Sequence, residues 1–219
     1  MLCRITDRWF LIMVCCRILQ MLKVVPFQNK NVKNIKEADL LEIWFDRVLD
    51  AEIPSVLKKI SKPFIYKIEK EGLKKIKTKV IEKASFVDLD VEVDKSIITK
   101  IKALNKNAEV IISYHNFKST PPKKELLKIL RKMENKKADI FKFATYAKNL
   151  GDSIAMLDFL SSLSVEKRKA ICICMGKNGI VTRMVGHLFG NFCMYFAENE
   201  KTKTADGQMT IKEFNKQII

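Results

Sequence analysis

The feature that most constrains this chain is an alternation along nearly its whole length, in which short apolar or β-branched runs are separated by amphipathic, lysine-rich stretches of helical spacing. That pattern is the mark of parallel α/β architecture. Candidate strands fall at residues 14–19, 40–45, 64–68, 86–91, 110–114, 140–145, 170–175 and 192–196. Candidate helices fall at 69–82, 94–106, 123–133, 152–164, 181–189 and 210–218. The clearest of these sets Leu126, Ile129, Leu130 and Met133 on one face, with Pro121 and Pro122 where a first turn tolerates a missing amide hydrogen. Eight strands in 219 residues suit one domain near the lower size limit of a (β/α)8 (TIM) barrel. An open doubly wound sheet would carry a glycine-rich phosphate loop after its first strand, yet residues 20–29 contain no glycine. The expected organisation is an extension over 1–12 followed by a single catalytic barrel over 13–219.

Charge and cysteine usage narrow the function classes. The net charge of +16 raises nucleic-acid binding, but the lysines are spread over helix-like segments without arginine clusters or interleaved aromatics, so they read as solvated faces. The surplus suits attraction of a small anionic substrate. No nucleic-acid or membrane partner is expected, and a homodimer is compatible with this reading. The run from Trp9 to Cys16 is too short to span a bilayer, Arg17 follows it, and no small-residue cleavage site is visible, so a cytoplasmic protein is expected. Most of the six cysteines lie in apolar runs and read as buried thiols. Cys172-Ile173-Cys174 lacks metal-knuckle spacing and only two histidines exist, so no metal site is predicted.

Barrel chemistry resides at the C-terminal ends of strands. Polar residues gather there: Glu42 and Asp46 with the second candidate strand, Asp88 and Asp90 on the fourth, Ser113 and His115 with the fifth, Lys142 on the sixth. Lys142 stands between Phe141 and Phe143. Taken alone it fits either a strand-end lysine reaching water or an amine in an apolar mouth, where a depressed pKa would free it to attack a carbonyl. His115 fits either a structural cap of its strand or a proton carrier near neutral pH. His187 falls on a helix-like stretch and reads as a surface or packing residue.

Asp88-Leu89-Asp90-Val91, then Ile111-Ile112-Ser113-Tyr114-His115-Asn116, Thr120-Pro121 and the strand around Lys142 form an ordered series. It continues through Met175-Gly176, Gly179, Thr182-Arg183, Gly186, Phe189-Gly190 and Ala205-Asp206-Gly207-Gln208. From about Ala38 to its end the chain resembles type I 3-dehydroquinate dehydratase, which implies a TIM barrel of class I aldolase type. The resemblance implies a carbon–oxygen lyase that converts 3-dehydroquinate to 3-dehydroshikimate through a Schiff base, in the shikimate pathway of aromatic amino acid biosynthesis, with no cofactor. It implies that Lys142 forms the imine, His115 moves protons and Glu71 orients His115. Glu42, Lys67, Arg183, Thr204 and Gln208 would bind substrate, with Met175 and Tyr195 as apolar walls.

The chain also departs from the family pattern. Trp44 stands where the family usually has an arginine, and Lys67-Ile68-Glu69-Lys70-Glu71-Gly72 replaces an Arg-Thr-x-x-Glu-Gly loop. Thr204 and Asp206 replace a serine and a proline. Each lost charge-assisted contact would cost about 1.5–3 kcal/mol if nothing replaces it. A diverged Schiff-base lyase or aldolase of altered substrate, and a non-catalytic basic binding protein, are the competing readings.

Overall fold

The computed structural model describes residues 21–218. Eight parallel strands form one sheet: β1 (Leu22–Phe27), β2 (Leu40–Ile43), β3 (Phe64–Lys67), β4 (Phe86–Asp90), β5 (Glu109–Asn116), β6 (Ile140–Tyr146), β7 (Ala170–Met175) and β8 (Cys193–Tyr195). Their order is β7-β6-β5-β4-β3-β2-β1-β8. The sheet curls until its two ends meet, where Phe192 N–H donates to the Ala170 carbonyl at 2.8 Å and Ala170 bridges Asn191. The result is a nearly closed (β/α)8 barrel.

Side chains alternate across a strand, so one residue of known direction fixes its neighbours two away. Val24, Leu40, Ile65, Ile111, Ile140, Ala144, Ile171, Ile173, Cys193 and Tyr195 form an inner cluster that fills the barrel. Phe141, Phe143, Val87, Leu89, Val110 and Ile112 belong instead to the larger core between strands and helices. Lys142 lies midway between Ile140 and Ala144, and it therefore points inward. The same parity turns Glu42, Lys67, Asp88, Ser113 and His115 to the interior. The lower barrel is thus apolar and the upper barrel ionic, which puts the chemistry at the C-terminal mouth.

Between the strands lie α1 (Ile53–Lys59), α2 (Thr78–Ile81), α3 (Lys95–Leu104), α4 (Lys123–Asn135), α5 (Leu150–Val165), α6 (Ile180–Val185) and α7 (Ile211–Ile218). Asp94 caps α3 by accepting from Ser96 N–H, and α4 buries Leu126, Leu130 and Met133. Among the described residues no helix is long and apolar enough to cross a membrane, and no three His, Cys, Asp or Glu side chains group to hold a metal ion.

Two expected helices differ from this architecture, two elements were not expected, and one expected strand falls outside the described residues. The strand expected at 14–19 lies outside the described residues, and the barrel completes its eight strands with Leu22–Phe27, inside the stretch read as a connection. Lys23 and Pro26 interrupt that run, which hides its strand character. The single helix expected over 69–82 is two short pieces, a 3-10 turn at Gly72–Lys75 and α2, because Ile76 and Lys77 are not helical. Lys75 and Lys77 both reach back to Asp50, so the segment follows the barrel rim rather than a helix axis. The helix expected at 181–189 tightens into a 3-10 turn at Gly186–Phe189, where Gly186 packs against Asn191. Helix α1 is seven residues long, too short for periodicity to reveal.

Candidate active site

Lys142 is buried in the centre of the mouth, and its ammonium group is fully engaged. Nζ donates to Asp88 Oδ2 at 2.8 Å, Tyr195 OH at 2.9 Å and Glu42 Oε2 at 3.3 Å. Tyr195 OH in turn donates to Glu42 Oε2 at 2.9 Å, while its ring lies 4.2 Å from Nζ. Asp88 also accepts from Lys67 Nζ at 2.8 Å and Ser113 Oγ at 2.6 Å. Two ammonium groups and two carboxylates are thus joined in one buried hydrogen-bonded network.

This balance corrects the expected depressed lysine. Burial alone would lower the Lys142 pKa, but the Asp88 and Glu42 carboxylates outweigh it and hold the amine well above its ordinary value. Asp88 shows the counterpart: burial pushes its pKa up, and Lys142 and Lys67 together hold it well below the carboxylate range. Lys142 rests as an ammonium ion and must shed a proton before it can attack. His115 behaves in the opposite way. Desolvation, then the nearby charges of Lys67 and Lys142, push its imidazole down to about 3, so it is neutral at physiological pH and free to accept a proton.

A cavity of about 690 Å³ opens over this network, and Lys142, His115, Arg183, Met175, Tyr195 and Gln208 all reach its wall. Glu42, Lys67, Glu71 and Thr204 line it as well. Arg183 is 3% exposed, and its Nε and Nη2 have no partner among the described residues. Desolvation lowers its pKa to about 10, which leaves it charged. A guanidinium with open donors has the forked geometry that matches a carboxylate. Thr204, Ala205, Asp206 and Gln208 also line the cavity. Gln208 Oε1 accepts from Thr204 N–H at 2.7 Å and Thr204 Oγ1 at 3.0 Å. Gly176 N–H donates to the Asp206 carbonyl, and Gly207, at φ +75°, sits so close to the Gly176 carbonyl that a Cβ would lie 2.8 Å from it.

Several arrangements were not legible in the sequence. Trp44 Nε1 donates to Glu42 Oε1 at 3.1 Å, and the Arg47 guanidinium stacks 4.0 Å over the indole while pairing with Glu69 through two hydrogen bonds. Asp46 does not line the cavity. It accepts from Tyr66 OH at 2.6 Å and Glu69 N–H at 2.8 Å, and so braces the loop after β3. Burial raises its pKa, with those two bonds opposing. Glu71 is exposed, and no hydrogen bond joins it to His115 among the described residues. His115 instead stacks on Phe117, 6.1 Å between ring centres. His187 is buried against Phe214, a packing residue rather than a surface one. Period-two spacing could have flagged Asp88 as an inward carboxylate; nothing local announces the Tyr195 hydroxyl network.

A sequence model of the family described as Type I 3-dehydroquinase matches residues 25–218. A 3-dehydroquinate dehydratase of Methanococcus maripaludis strain C7 is 29% identical over 205 residues, spanning 87% of this chain and 91% of that protein. Another from strain C5 is 33% identical over 155 residues, spanning 70% and 68%. Among solved structures, the type I 3-dehydroquinate dehydratase of Clostridium difficile shares the fold at a TM-score of 0.76 and 22% identity, covering 90% of this chain and 91% of that one. The 3-dehydroquinate dehydratase of Aquifex aeolicus does so at 0.74 and 22%, covering 90% and 96%.

Proposed function

The chain belongs to the type I 3-dehydroquinase family, and from that premise we propose that it is a hydro-lyase converting 3-dehydroquinate to 3-dehydroshikimate through an imine on Lys142. The observation that carries the assignment is the inward, buried Lys142 at the floor of a cavity that also holds Arg183 and His115. The product belongs to the shikimate route to aromatic amino acids.

The substrate carboxylate pairs with the open donors of Arg183, which sets the ketone over Lys142. Nζ, once deprotonated, bonds to the ketone carbon, and loss of water leaves a protonated imine. Its nitrogen draws electrons from the neighbouring C–H bond, so no external cofactor is needed as a sink. His115, neutral at rest, takes that proton and forms an enamine. The enamine electrons then expel the β-hydroxyl, which leaves as water with the proton returned by His115. Water finally hydrolyses the conjugated imine and releases Lys142. Glu42 and Lys67 are read as the polar wall for the hydroxyls, Thr204 and Gln208 as the closing loop, Met175 with the Tyr195 ring as the apolar wall, and Glu71, which lines the same cavity as His115, as the carboxylate that orients it once substrate is bound.

We place this reaction in the cytoplasm, a reading supported by Cys172, Cys174 and Cys193 standing as free buried thiols. Homodimer formation is part of the same reading, and sedimentation equilibrium tests it. The mechanism is tested by borohydride reduction in the presence of 3-dehydroquinate, followed by peptide mass spectrometry. The expected result is a reduced adduct on Lys142 that vanishes in Lys142→Ala. An unmodified Lys142 would overturn it.

A further inference from the structure

Lys142 has to lose a proton before it attacks, and its three acceptors are not equivalent. Asp88 simultaneously serves Lys67 and Ser113, so a proton placed on it would strip the buried Lys67 ammonium of its counter-charge. Glu42 Oε2 lies 3.3 Å away, the longest of the three contacts. Tyr195 OH lies between the two groups, accepting from Nζ at 2.9 Å and donating to Glu42 Oε2 at 2.9 Å. Of the three it alone is both donor and acceptor. A residue needed only as an apolar wall has no use for a buried hydroxyl, whereas this one is placed on the inner face of β8 with both its hydrogen-bonding functions used.

Resting on the imine mechanism above, we infer that Tyr195 is a catalytic residue that relays the proton between Lys142 and Glu42 during imine formation and hydrolysis. An ammonium proton passes to the Tyr195 oxygen as the phenol proton passes to Glu42 Oε2, leaving a free lone pair on Nζ. That pair bonds the ketone carbon while the C=O electrons move to oxygen. The proton stored on Glu42 and a second one from nitrogen then leave with that oxygen as water, and the protonated imine remains. Hydrolysis runs the same path backwards. Trp44 N–H holds the other Glu42 oxygen throughout.

Tyr195→Phe keeps the ring and removes only the hydroxyl. Rapid-quench trapping with borohydride should show imine formation on Lys142 slowed about 100-fold at pH 7, with KM changed less than about threefold. The deficit should shrink as pH rises, because hydroxide grows tenfold per pH unit and offers a second base for an ammonium that the carboxylates hold well above the ordinary lysine range. Imine formation at the native rate, or a loss equal at every pH, would overturn the relay. A proton inventory on the native imine-forming step gives a second reading should the variant not fold: two protons in flight bow the plot downward, and a linear plot overturns the proposal. If native protein yields no adduct at all, the imine mechanism itself fails; an adduct formed at the native rate in Tyr195→Phe removes the relay alone.

Discussion

Arg183 is the residue whose surroundings in the fold leave most of its hydrogen-bonding capacity unused. Its guanidinium is buried with Nε and Nη2 unpartnered among the described residues, and desolvating a charge without compensation weakens the native state. Arg183→Met should therefore raise the stability of the ligand-free protein by about 1–4 kcal/mol while lowering kcat/KM by about 10- to 150-fold. Thermal unfolding and steady-state kinetics read the two effects; a destabilised variant would show that the arginine has structural partners. His115 leads to a pH prediction. Its imidazole is pushed down to about 3 by desolvation and by Lys67 and Lys142, and in the proposed mechanism the unprotonated form is the base. The kcat/KM profile of the free enzyme should thus be flat through pH 6.5 on its acid side, losing activity only as pH falls toward about 3. An inflection near 6.5 would mean a solvated ring. The sequence left Lys142 facing either water or the barrel mouth, and its inward direction follows only once Ile140 and Ala144 are seen in the inner cluster. Its protonation state was not legible either, because the carboxylates that set it stand 54 and 100 positions away in sequence.

At the scale of elements, strands on the barrel interior were readable wherever apolar residues ran unbroken, as in β7, and hidden where Pro26 and Lys23 interrupt β1. Segments whose shape is set by tertiary contacts were misread, and the loop after β3 is the clearest case. Gly72 packs directly on the Asp46 carboxylate, so close that a Cβ would fall 2.0 Å from Oδ2. Asp46 cannot yield easily, because Tyr66 OH and Glu69 N–H hold both of its oxygens. Gly72→Ala must push the loop outward, and overpacking of this kind costs about 1–3 kcal/mol. The urea midpoint should fall accordingly. Since Lys67 and Glu71 flank the same loop, kcat/KM should fall with it, and Asp46→Ala should recover part of the stability in the double variant. A Gly72→Ala protein of native stability would show that the loop has room to move.

For the molecule as a whole the dominant quantity is the charge of +16, which opposes compaction through self-repulsion. Exposed pairs such as Lys132–Glu92 and Lys123–Asp158 offset little of it, each being worth about 0–1 kcal/mol. Chloride at about 0.15 M shortens the screening length to about 8 Å, weakening the summed repulsion of distant lysines more than contacts near 3 Å. Chloride should therefore raise Tm, and a fall would mean that the exposed pairs outweigh the repulsion. Sulfate at equal ionic strength screens equally but also offers oxygens to the buried guanidinium, so it should raise Tm further, beyond its general effect on burial. Arg183→Met separates the two contributions. The variant should keep the chloride response, which belongs to the whole surface, and lose the part of the sulfate response that belongs to one side chain. If sulfate stabilises native and variant proteins alike, the anion is not entering the mouth of the barrel, and the carboxylate subsite assigned to Arg183 is wrong.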